Sequence, residues 1–576
     1  MYSGGLRLLL VALATAVALV FGVTAGADVG SGSGPPTSIG TGGAAASVEK
    51  LATQAAIDIL RRGGNAVDAA VAAAGVLGVT EPFSCGVGGG GFMVVRTAGG
   101  AVTTIDGRET APAAMNPTSF WENGAALLFN DARYSGLSVG VPGTVETWVD
   151  ALQKFGTMSL AQVLAPGIHV ARHGYVIDQT WFDQVNANRD WFDDIPASAA
   201  LFLDPDGTPR DVGTVFTNPA LAATYERIAQ LGAKGFYRGA VADALVDTVQ
   251  HPIVSSAANH VWRPGVMTMR DLHGYTAPER APTHVNYRGL DVYSMGPPSS
   301  GGSTVGEALN ILEGYDLSSM TRVGALHYYL EASRYAFADR NAYLADPAYF
   351  QVPLSGLLSK DYAAKRRALI KDTAAPGAVP PGDPYPYEGA ETTTHLTTSD
   401  KSGNVVSYTF TIESTGGSAL VVPGFGFLLN NELTDFNFDS TTHPNRVEGG
   451  KRPRSSMAPT IITKAGKPFL AVGSPGGATI ITTVLQILLD RLDLGMTLPQ
   501  AIAGPRASQR NALNTGAEPA FLATPERTAL EARGHHFVNA GEIGAATGIE
   551  FLPSGGVLAA AEPVRRGGGS AMTESP

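Results

Sequence analysis

A proline-rich segment near the middle of the chain places the strongest constraint on how this sequence can fold. Residues 372–391 hold five prolines and three glycines among small and acidic residues. Proline has no amide hydrogen to donate and restricts the backbone, so this stretch cannot continue a helix or a central strand. It ends abruptly at Thr392, where strand-like residues begin. We interpret it either as a surface loop or as an exposed segment that moves away after the chain is cut.

The residues after this segment are predicted to form a β-hairpin. Two strand-like runs flank residues 400–404, in which Gly403 suits the left-handed last position of a three-residue loop. In that register Thr393 faces Thr411. The second strand alternates apolar and polar residues, which places Thr411 and Glu413 on one polar face with Thr393. If the register slips by one residue, Glu413 instead turns outward to pair with a surface cation.

A second segment offers hydrogen-bond donors to an oxyanion. A predicted strand runs into the sequence Gly-Ser-Pro-Gly-Gly and then into a predicted helix at 478–494. Ser474 suits the N-cap and Pro475 the first helical position. The amides of Gly476 and Gly477 would then be unpaired donors at the positive end of a helix, which can stabilise an oxyanion.

The chain begins with a predicted targeting segment. Arg7, the apolar run 8–23 and an A-x-A site at 25–27 indicate that residues 1–27 are a signal peptide. The run is shorter than a membrane-spanning helix requires, so an uncleaved anchor is the less favoured alternative. Residues 28–47 are rich in small residues and are predicted to be a flexible stalk. We therefore expect a protein that is secreted, periplasmic or held at the cell surface.

Charge and cysteine content exclude several classes. The formal net charge is −11 at pH 7, and Cys85 is the only cysteine. A chain this acidic is a poor partner for nucleic acid, and membrane contact is expected only through an uncleaved signal segment. With no possible internal disulfide, the protein must rely on its core for stability.

Helices and strands alternate irregularly, which predicts one mixed, layered α+β domain. The periodicity predicts helices at 47–62, 66–79, 304–313, 325–345 and 478–494, and strands at 91–96, 102–105, 405–412 and 469–472.

Several short motifs along the chain resemble those of the gamma-glutamyltranspeptidase family and occur in the same order. The resemblance is carried by residues 63–74, 86–93, 106–112, 140–144, 297–302, 338–346, 393–395, 400–404, 428–431, 452–457 and 473–477. It spans nearly all of the chain that follows the signal peptide and the stalk.

The resemblance implies an N-terminal nucleophile hydrolase fold, a four-layer αββα sandwich of the α+β class. It also implies self-cleavage between Thr392 and Thr393. Two chains would then form a heterodimer of a large subunit at 48–392 and a small catalytic subunit at 393–576.

The resemblance also assigns catalytic roles. Thr393 is the nucleophile, and the α-amine that cleavage frees acts as its base. Thr411 orients the nucleophile through its hydroxyl, and Gly476 and Gly477 hold the oxyanion. His395 is expected to be structural rather than a base.

For substrate, the resemblance implies a γ-glutamyl group, as in glutathione. Arg108 clamps the α-carboxylate with help from Ser455 and Ser456, because the guanidinium fork matches a carboxylate at two points. Glu432 and Asp435 accept the α-ammonium. Water or an acceptor amine then releases the acyl group. No metal or organic cofactor is implied.

Two features depart from the family pattern. Glu413 stands where well-known members have Asn, beside the ammonium site, and so joins the predicted substrate-binding residues. Residues 436–450 are short where many relatives carry a longer lid. This difference predicts a pocket open to bulky leaving groups, including poly-γ-glutamyl chains.

Two alternatives remain open. One is a relative with the same machinery and another acyl group, such as a glutaryl-type cephalosporin acylase. Glu432 and Asp435 argue against it, since buried carboxylates without a cation are costly. The other is a non-catalytic secreted binding protein that never matures.

Overall fold

The computed structural model describes residues 34–382 and 394–575. The predicted signal peptide, the first part of the predicted stalk, the predicted cleavage site and Thr393 lie outside these ranges.

The strands, in chain order, are β1 (Thr37–Gly40), β2 (Ala44–Ser47), β3 (Gly90–Arg96), β4 (Val102–Gly107), β5 (Trp121–Glu122), β6 (Ala125–Ala126), β7 (Tyr175–Val176), β8 (Val215–Phe216), β9 (Glu279–Arg280), β10 (Thr283–Tyr287), β11 (Leu290–Ser294), β12 (Thr394–Ser399), β13 (Val405–Thr411), β14 (Thr460–Lys464), β15 (Lys467–Gly473), β16 (Ala507–Ser508), β17 (Thr515–Ala517), β18 (Phe537–Asn539), β19 (Thr547–Phe551), β20 (Val557–Ala561) and β21 (Ser570–Thr573).

The α-helices are α1 (Lys50–Arg61), α2 (Ala66–Thr80), α3 (Phe129–Arg133), α4 (Thr144–Phe155), α5 (Leu160–His173), α6 (Gln179–Phe192), α7 (Pro196–Phe202), α8 (Pro219–Leu231), α9 (Lys234–Tyr237), α10 (Ala240–Gln250), α11 (Met269–Gly274), α12 (Gly301–Leu312), α13 (Arg322–Tyr343), α14 (Leu354–Leu357), α15 (Lys360–Arg367), α16 (Thr479–Leu492), α17 (Leu498–Ala503), α18 (Pro519–Leu522) and α19 (Pro525–Glu531).

Two seven-stranded sheets form the centre of the fold. The hairpin sheet has the order β21-β2-β12-β13-β3-β4-β9, and the glycine-loop sheet has the order β1-β20-β19-β15-β14-β11-β10. Neighbouring strands in both sheets are antiparallel. The sheets face each other, with β12 against β19 and β13 against β15.

Helices cover the outer face of each sheet. Val406, Tyr408 and Phe410 of β13 belong to one buried apolar cluster with α1, α2 and α4. Leu470 and Val472 of β15 belong to another with α12, α13 and α16. The order of layers is therefore helix, sheet, sheet, helix, and the predicted αββα sandwich is confirmed.

Alternation along β13 turns a polar stripe toward the space between the sheets. Ser407, Thr409 and Thr411 alternate with the helix-facing residues and so face the glycine-loop sheet. Ser407 Oγ donates across the gap to the carbonyl of Val472, at 3.4 Å. Hydroxyl groups on this stripe lead along the strand to Thr411, where β13 ends.

The predicted helices and strands all form, with boundaries shifted by a few residues. The start of α2 is fixed by a capping box, in which Asn65 accepts from the amide of Asp68 and the Asp68 carboxylate accepts from the amide of Asn65.

The prediction of a flexible stalk at 28–47 is wrong for its described part. β1 pairs with β20, and β2 lies between β12 and β21 in the hairpin sheet. Ala44 and Ala46 are buried in a small cluster between the two sheets. The small side chains that resemble a linker in the sequence serve here to let two sheets approach closely.

The described part of the proline-rich segment, residues 372–382, is anchored although much of it is exposed. Asn511 and Val379 exchange two hydrogen bonds, of 2.7 and 3.0 Å. The Gly382 amide donates to Asp339 Oδ1 at 2.7 Å. If the proline-rich segment moves after the chain is cut, the movement must either break these hydrogen bonds or be confined to residues beyond Gly382.

Candidate active site

The β12–β13 hairpin has the predicted register. Thr394 pairs with Phe410, and Ser399 pairs with Val405 next to the turn. Gly403 has a φ of 87°, as its place in the loop requires. Thr393, which the predicted register places opposite Thr411, lies outside the described residues.

His395 is a structural residue, as predicted. Its ring is buried, with Nδ1 2.8 Å from Thr409 Oγ1 and Nε2 3.1 Å from Thr397 Oγ1. Burial lowers the pKa of His395 to about 3, so the ring is neutral at physiological pH. It also packs on Gly473, where an added Cβ would lie 2.3 Å from the ring. The imidazole therefore joins the hairpin to the end of β15.

Glu413 lies inside the site and is only 1% exposed. Its φ of 76° is left-handed, which is unusual for a residue other than glycine. Its amide donates to Thr411 Oγ1 at 2.8 Å, and its carboxylate accepts hydrogen bonds from Asn431 and Ser414. The alternative in which Glu413 turns outward is wrong, because the register does not slip and the chain bends inward after β13.

Arg108 follows β4 and brings the predicted recognition residues together. Its guanidinium forms ion pairs with both Glu432 and Asp435, and all three side chains are nearly fully buried. It also donates to the carbonyls of Pro453 and Arg454, each at 3.1 Å. A cation and two anions thus share one small volume with the backbone of the segment that leads to Ser455.

Glu109, next to Arg108, is a buried carboxyl group with a different environment. Neither of its oxygens has a hydrogen-bond partner among the described residues. Burial raises the pKa of Glu109 to about 8, although the neighbouring Arg108 opposes the shift. The group is therefore largely protonated at neutral pH and leaves the charge of Arg108 to Glu432 and Asp435.

Ser455 and Ser456 are buried on the same segment. Ser456 Oγ accepts from Arg340 Nη2 at 2.5 Å, and Arg340 Nε donates to Ser300 Oγ at 2.9 Å. Ser455 Oγ accepts from the Met457 amide at 3.1 Å. The Ser456 hydroxyl thus lies beside a second guanidinium, that of Arg340, which sequence reasoning missed.

The loop Gly473–Gly477 differs from its prediction. Helix α16 begins at Thr479 with Ala478 as N-cap, so Ser474 and Pro475 do not cap it. Gly476 and Gly477 have φ values of 130° and 59°, which are not helical. Among the hydrogen bonds of the described residues, none uses the amides of these two glycines. They remain candidate oxyanion donors, presented by a turn rather than by a helix end.

Two asparagines that carried the family resemblance have structural roles in the site that sequence reasoning missed. Asn430 Oδ1 accepts from the amides of Gly140 and Glu432, at 2.9 and 3.0 Å. Asn431 donates to Glu413 and accepts from the Ser414 amide at 3.0 Å. The adjacent pair Asn-Asn was the available signal, but its partners are distant in sequence.

Neither a metal centre nor a membrane-spanning helix is found in the described ranges. No group of three or more His, Cys, Asp or Glu residues there could hold a metal ion. No helix there is long and apolar enough to cross a membrane.

The chain matches the family model described as gamma-glutamyltranspeptidase over residues 52–572. It is 40% identical over 489 residues to the glutathione hydrolase proenzyme of Bacillus subtilis (strain 168), which covers 81% of each chain. It is 38% identical over 510 residues to the glutathione hydrolase proenzyme of Pseudomonas sp. (strain A14), which covers 86% of each chain. Among solved structures, cephalosporin acylase from Bacillus halodurans has a TM-score of 0.84 at 29% identity, covering 94% of this chain and 97% of that one.

Proposed function

Because the chain belongs to the gamma-glutamyltranspeptidase family and has the N-terminal nucleophile hydrolase fold, we propose that it hydrolyses γ-glutamyl amides such as glutathione. The same γ-glutamyl group would also pass to the amine of an amino acid or peptide. The active form is a heterodimer produced by self-cleavage between Thr392 and Thr393.

The observation that carries this proposal is the position of Arg108 between Glu432 and Asp435. The γ-glutamyl group ends in an α-carboxylate and an α-ammonium a few ångströms apart. One buried cation beside two buried anions matches that zwitterion, with Ser455 and Ser456 as further donors to the carboxylate.

The mechanism starts from the free amine of Thr393. Thr393 Oγ attacks the γ-carbonyl carbon while its proton passes to the α-amine. The amides of Gly476 and Gly477 donate to the oxygen that becomes negative. The carbon–nitrogen bond then breaks, the leaving amine takes the proton, and a γ-glutamyl ester of Thr393 remains. Water or an acceptor amine attacks this ester and restores the hydroxyl.

A glutaryl-type acylase is the second candidate, favoured by the structural similarity to a cephalosporin acylase. A glutaryl group keeps the carboxylate for Arg108 but has no ammonium for Glu432 and Asp435. Once the substrate carboxylate drew Arg108 away, two buried carboxylates would lack a counter-charge, which is costly. We therefore expect glutamyl to be preferred over glutaryl by about 100-fold in kcat/KM.

The test compares γ-glutamyl and glutaryl p-nitroanilides, each with and without a dipeptide acceptor. Rapid release from the glutamyl compound, accelerated by the dipeptide, supports the proposal. Equal or faster release from the glutaryl compound would establish the acylase alternative. A single intact band on a denaturing gel, with no release from either, would indicate a non-catalytic binding protein.

The short segment 436–450 supports an extension of the substrate range. Asn437 donates to the Asn445 carbonyl at 2.9 Å, and Asn445 Nδ2 donates to the Asp435 carbonyl at 2.7 Å. Because the segment is tied down beside Asp435, we propose a pocket open to poly-γ-glutamyl leaving groups. Turnover of the small anilide without detectable action on any longer γ-linked peptide would contradict this.

We also propose export of the protein through the signal peptide at residues 1–27, with no nucleic-acid partner. N-terminal sequencing of the large subunit from the natural host tests this: a start near Asp28 supports cleavage after Ala27. A start at residue 1 would indicate that the segment is retained.

A further inference from the structure

Four buried charged residues form a network that the proposed chemistry does not use. Arg565 donates to Glu518 through Nε and Nη2, at 2.5 Å each, and to Glu562 through Nη1 at 2.9 Å. Arg506 Nη2 donates to Glu562 at 3.0 Å. Each of the four is less than 10% exposed. Buried ion pairs often add little net stability, because the cost of desolvating the charges opposes their attraction. Stability alone therefore does not explain why four charged residues are buried at this place.

The network binds both backbone groups of one residue, Ile543, in a neighbouring loop. Glu518 Oε1 accepts from the Ile543 amide at 2.9 Å, and Arg506 Nη1 donates to the Ile543 carbonyl at 2.5 Å. Burial and Arg565 lower the pKa of Arg506 to about 10, so it is still a cation at neutral pH. The backbone of Ile543 is therefore bound by an ionised donor and an ionised acceptor, which make the strongest class of hydrogen bond.

The two residues after Ile543 bear directly on the loop Gly473–Gly477. The Ala545 amide donates to Ser474 Oγ at 3.3 Å, and Ser474 Oγ donates to the Pro475 carbonyl at 2.7 Å. A Cβ added to Gly544 would lie 2.4 Å from Ser474 Oγ, and one added to Gly476 would lie 3.2 Å from Gly544 Cα. The loop Gly473–Gly477 therefore cannot shift toward Gly544 unless Gly544 also moves.

We propose that Arg506 and Glu518 are positioning residues for catalysis, acting through Ile543–Ala545 to fix the amides of Gly476 and Gly477 where the oxyanion forms. This inference rests on the proposed function, because it takes the glycine amides as the oxyanion donors. Electrostatic stabilisation of a transition state depends on donors held in place before the reaction, and a displacement of about 1 Å can cost about 100-fold in rate. A turn with two left-handed glycines needs such external support more than a helix end does.

The test is Arg506→Lys in the mature, two-subunit enzyme. Lysine keeps the charge but cannot bind Ile543, Ile502 and Glu562 together as the guanidinium does. We expect kcat for the γ-glutamyl anilide to fall about tenfold with KM within about twofold, since the Arg108 side is untouched. Affinity for a γ-boronate analogue of glutamate, which forms a tetrahedral adduct, should fall in parallel, while affinity for glutamate itself stays unchanged.

Arg334→Lys is the matched control. Arg334 is equally buried and also binds one glutamate, Glu331, and two backbone carbonyls, those of Gly377 and Ala512. It should lose comparable thermal stability, with kcat of the mature enzyme and boronate affinity preserved. Glu518→Gln provides a second variant in case Arg506→Lys does not fold or mature, and the same loss of kcat and boronate affinity is expected from it.

The outcomes separate this inference from the function on which it rests. Unchanged kcat and unchanged boronate affinity in a folded Arg506→Lys or Glu518→Gln enzyme would overturn the positioning role alone. Parallel loss of boronate and glutamate affinity, or equal losses in the Arg334→Lys control, would reduce the network to a structural one. A wild-type enzyme that ignores γ-glutamyl anilides would instead refute the proposed function.

Discussion

Around Arg108 the candidate site is built from charged side chains, whereas along the hairpin and the glycine loop it is built from hydroxyls and backbone amides. We call the first set the recognition half and the second the chemical half. The recognition half consists of Arg108, Glu432, Asp435, Ser455 and Ser456. The chemical half consists of Thr393, Thr411, Gly476 and Gly477.

The two halves are held in place by different means. Direct ion pairs fix Arg108 against Glu432 and Asp435. Strand pairing fixes Thr411, and contacts with Ile543–Ala545 fix the glycine loop. The imidazole of His395, near the chemical half, is neutral because burial lowers its pKa to about 3. Under the proposed function, charge therefore selects the substrate, while backbone geometry positions the groups that react with it.

Loss of Thr393 should have the largest effect, since the proposed mechanism uses this residue for both self-cleavage and catalysis. Thr393→Ala is expected to yield one intact, inactive chain on a denaturing gel, because it removes the hydroxyl proposed both to cut the chain and to form the acyl intermediate. N-terminal sequencing of the wild-type small subunit should begin at Thr393. A start at Thr392 or Thr394 would show that the nucleophile has been assigned to the wrong residue.

Arg108→Lys should affect the recognition half alone. Lysine keeps the positive charge but loses the two-point contact, so we expect KM to rise about tenfold or more, with a smaller change in kcat and normal self-cleavage. Steady-state kinetics with the γ-glutamyl anilide and a denaturing gel measure both effects. If the variant stays uncleaved, Arg108 is required for folding, and the two halves are not independent.

The local pattern of the sequence was sufficient to predict the hairpin. Its turn residues and its alternation of polar and apolar side chains are short-range signals, and they predict the register in which Thr394 pairs with Phe410 and Ser399 with Val405. The family motifs likewise predicted that Arg108, Glu432 and Asp435 share one site, and in the structure Arg108 forms ion pairs with both carboxylates. These features depend on residues close in sequence or on motifs with unusual composition.

The parts that sequence reasoning missed depend on tertiary context. Alanines in β2 resemble a linker until a second sheet covers them. Pro475 resembles a helix start, but Gly476 and Gly477 take left-handed conformations that delay the helix to Thr479. The contact of Arg506 with Ile543 joins positions far apart in sequence and leaves no local pattern.

Glu413 is a charged side chain, like those of the recognition half, but it lies beside Thr411 of the chemical half. Its negative charge should stabilise the protonated Thr393 amine, which must be neutral to act as a base. We therefore expect Glu413→Asn to move the acidic limb of the kcat/KM profile toward lower pH, by about one unit. Asparagine is one methylene shorter than glutamate, so Glu413→Gln, which keeps the length and an acceptor for Ser414 and Asn431, is the companion variant that tests the charge more than the packing. Superimposable pH profiles of the two enzymes would mean that Glu413 does not act on the amine.

Glu109→Gln should have the smallest effect, on stability rather than on chemistry. Burial raises the pKa of Glu109 from 4.5 to about 8, so the folded protein keeps a proton that the unfolded chain loses in this range. Stability from this group is therefore fully present below about pH 4.5 and falls as the pH rises toward 8. Glutamine has the shape of the protonated acid and has no proton to lose, so its contribution to stability does not fall as the pH rises.

In a Thr393→Ala precursor, which stays one chain, the Glu109→Gln variant should match its parent at pH 5 and melt a few degrees higher at pH 8. Exposed Glu122 is the control, because its hydrogen bond with Arg263 lowers its pKa and Glu122→Gln should give no gain at pH 8. An equal melting shift at both pH values would mean that Glu109 is ionised in the folded protein, and Arg108 would then have a third carboxylate competing for its charge.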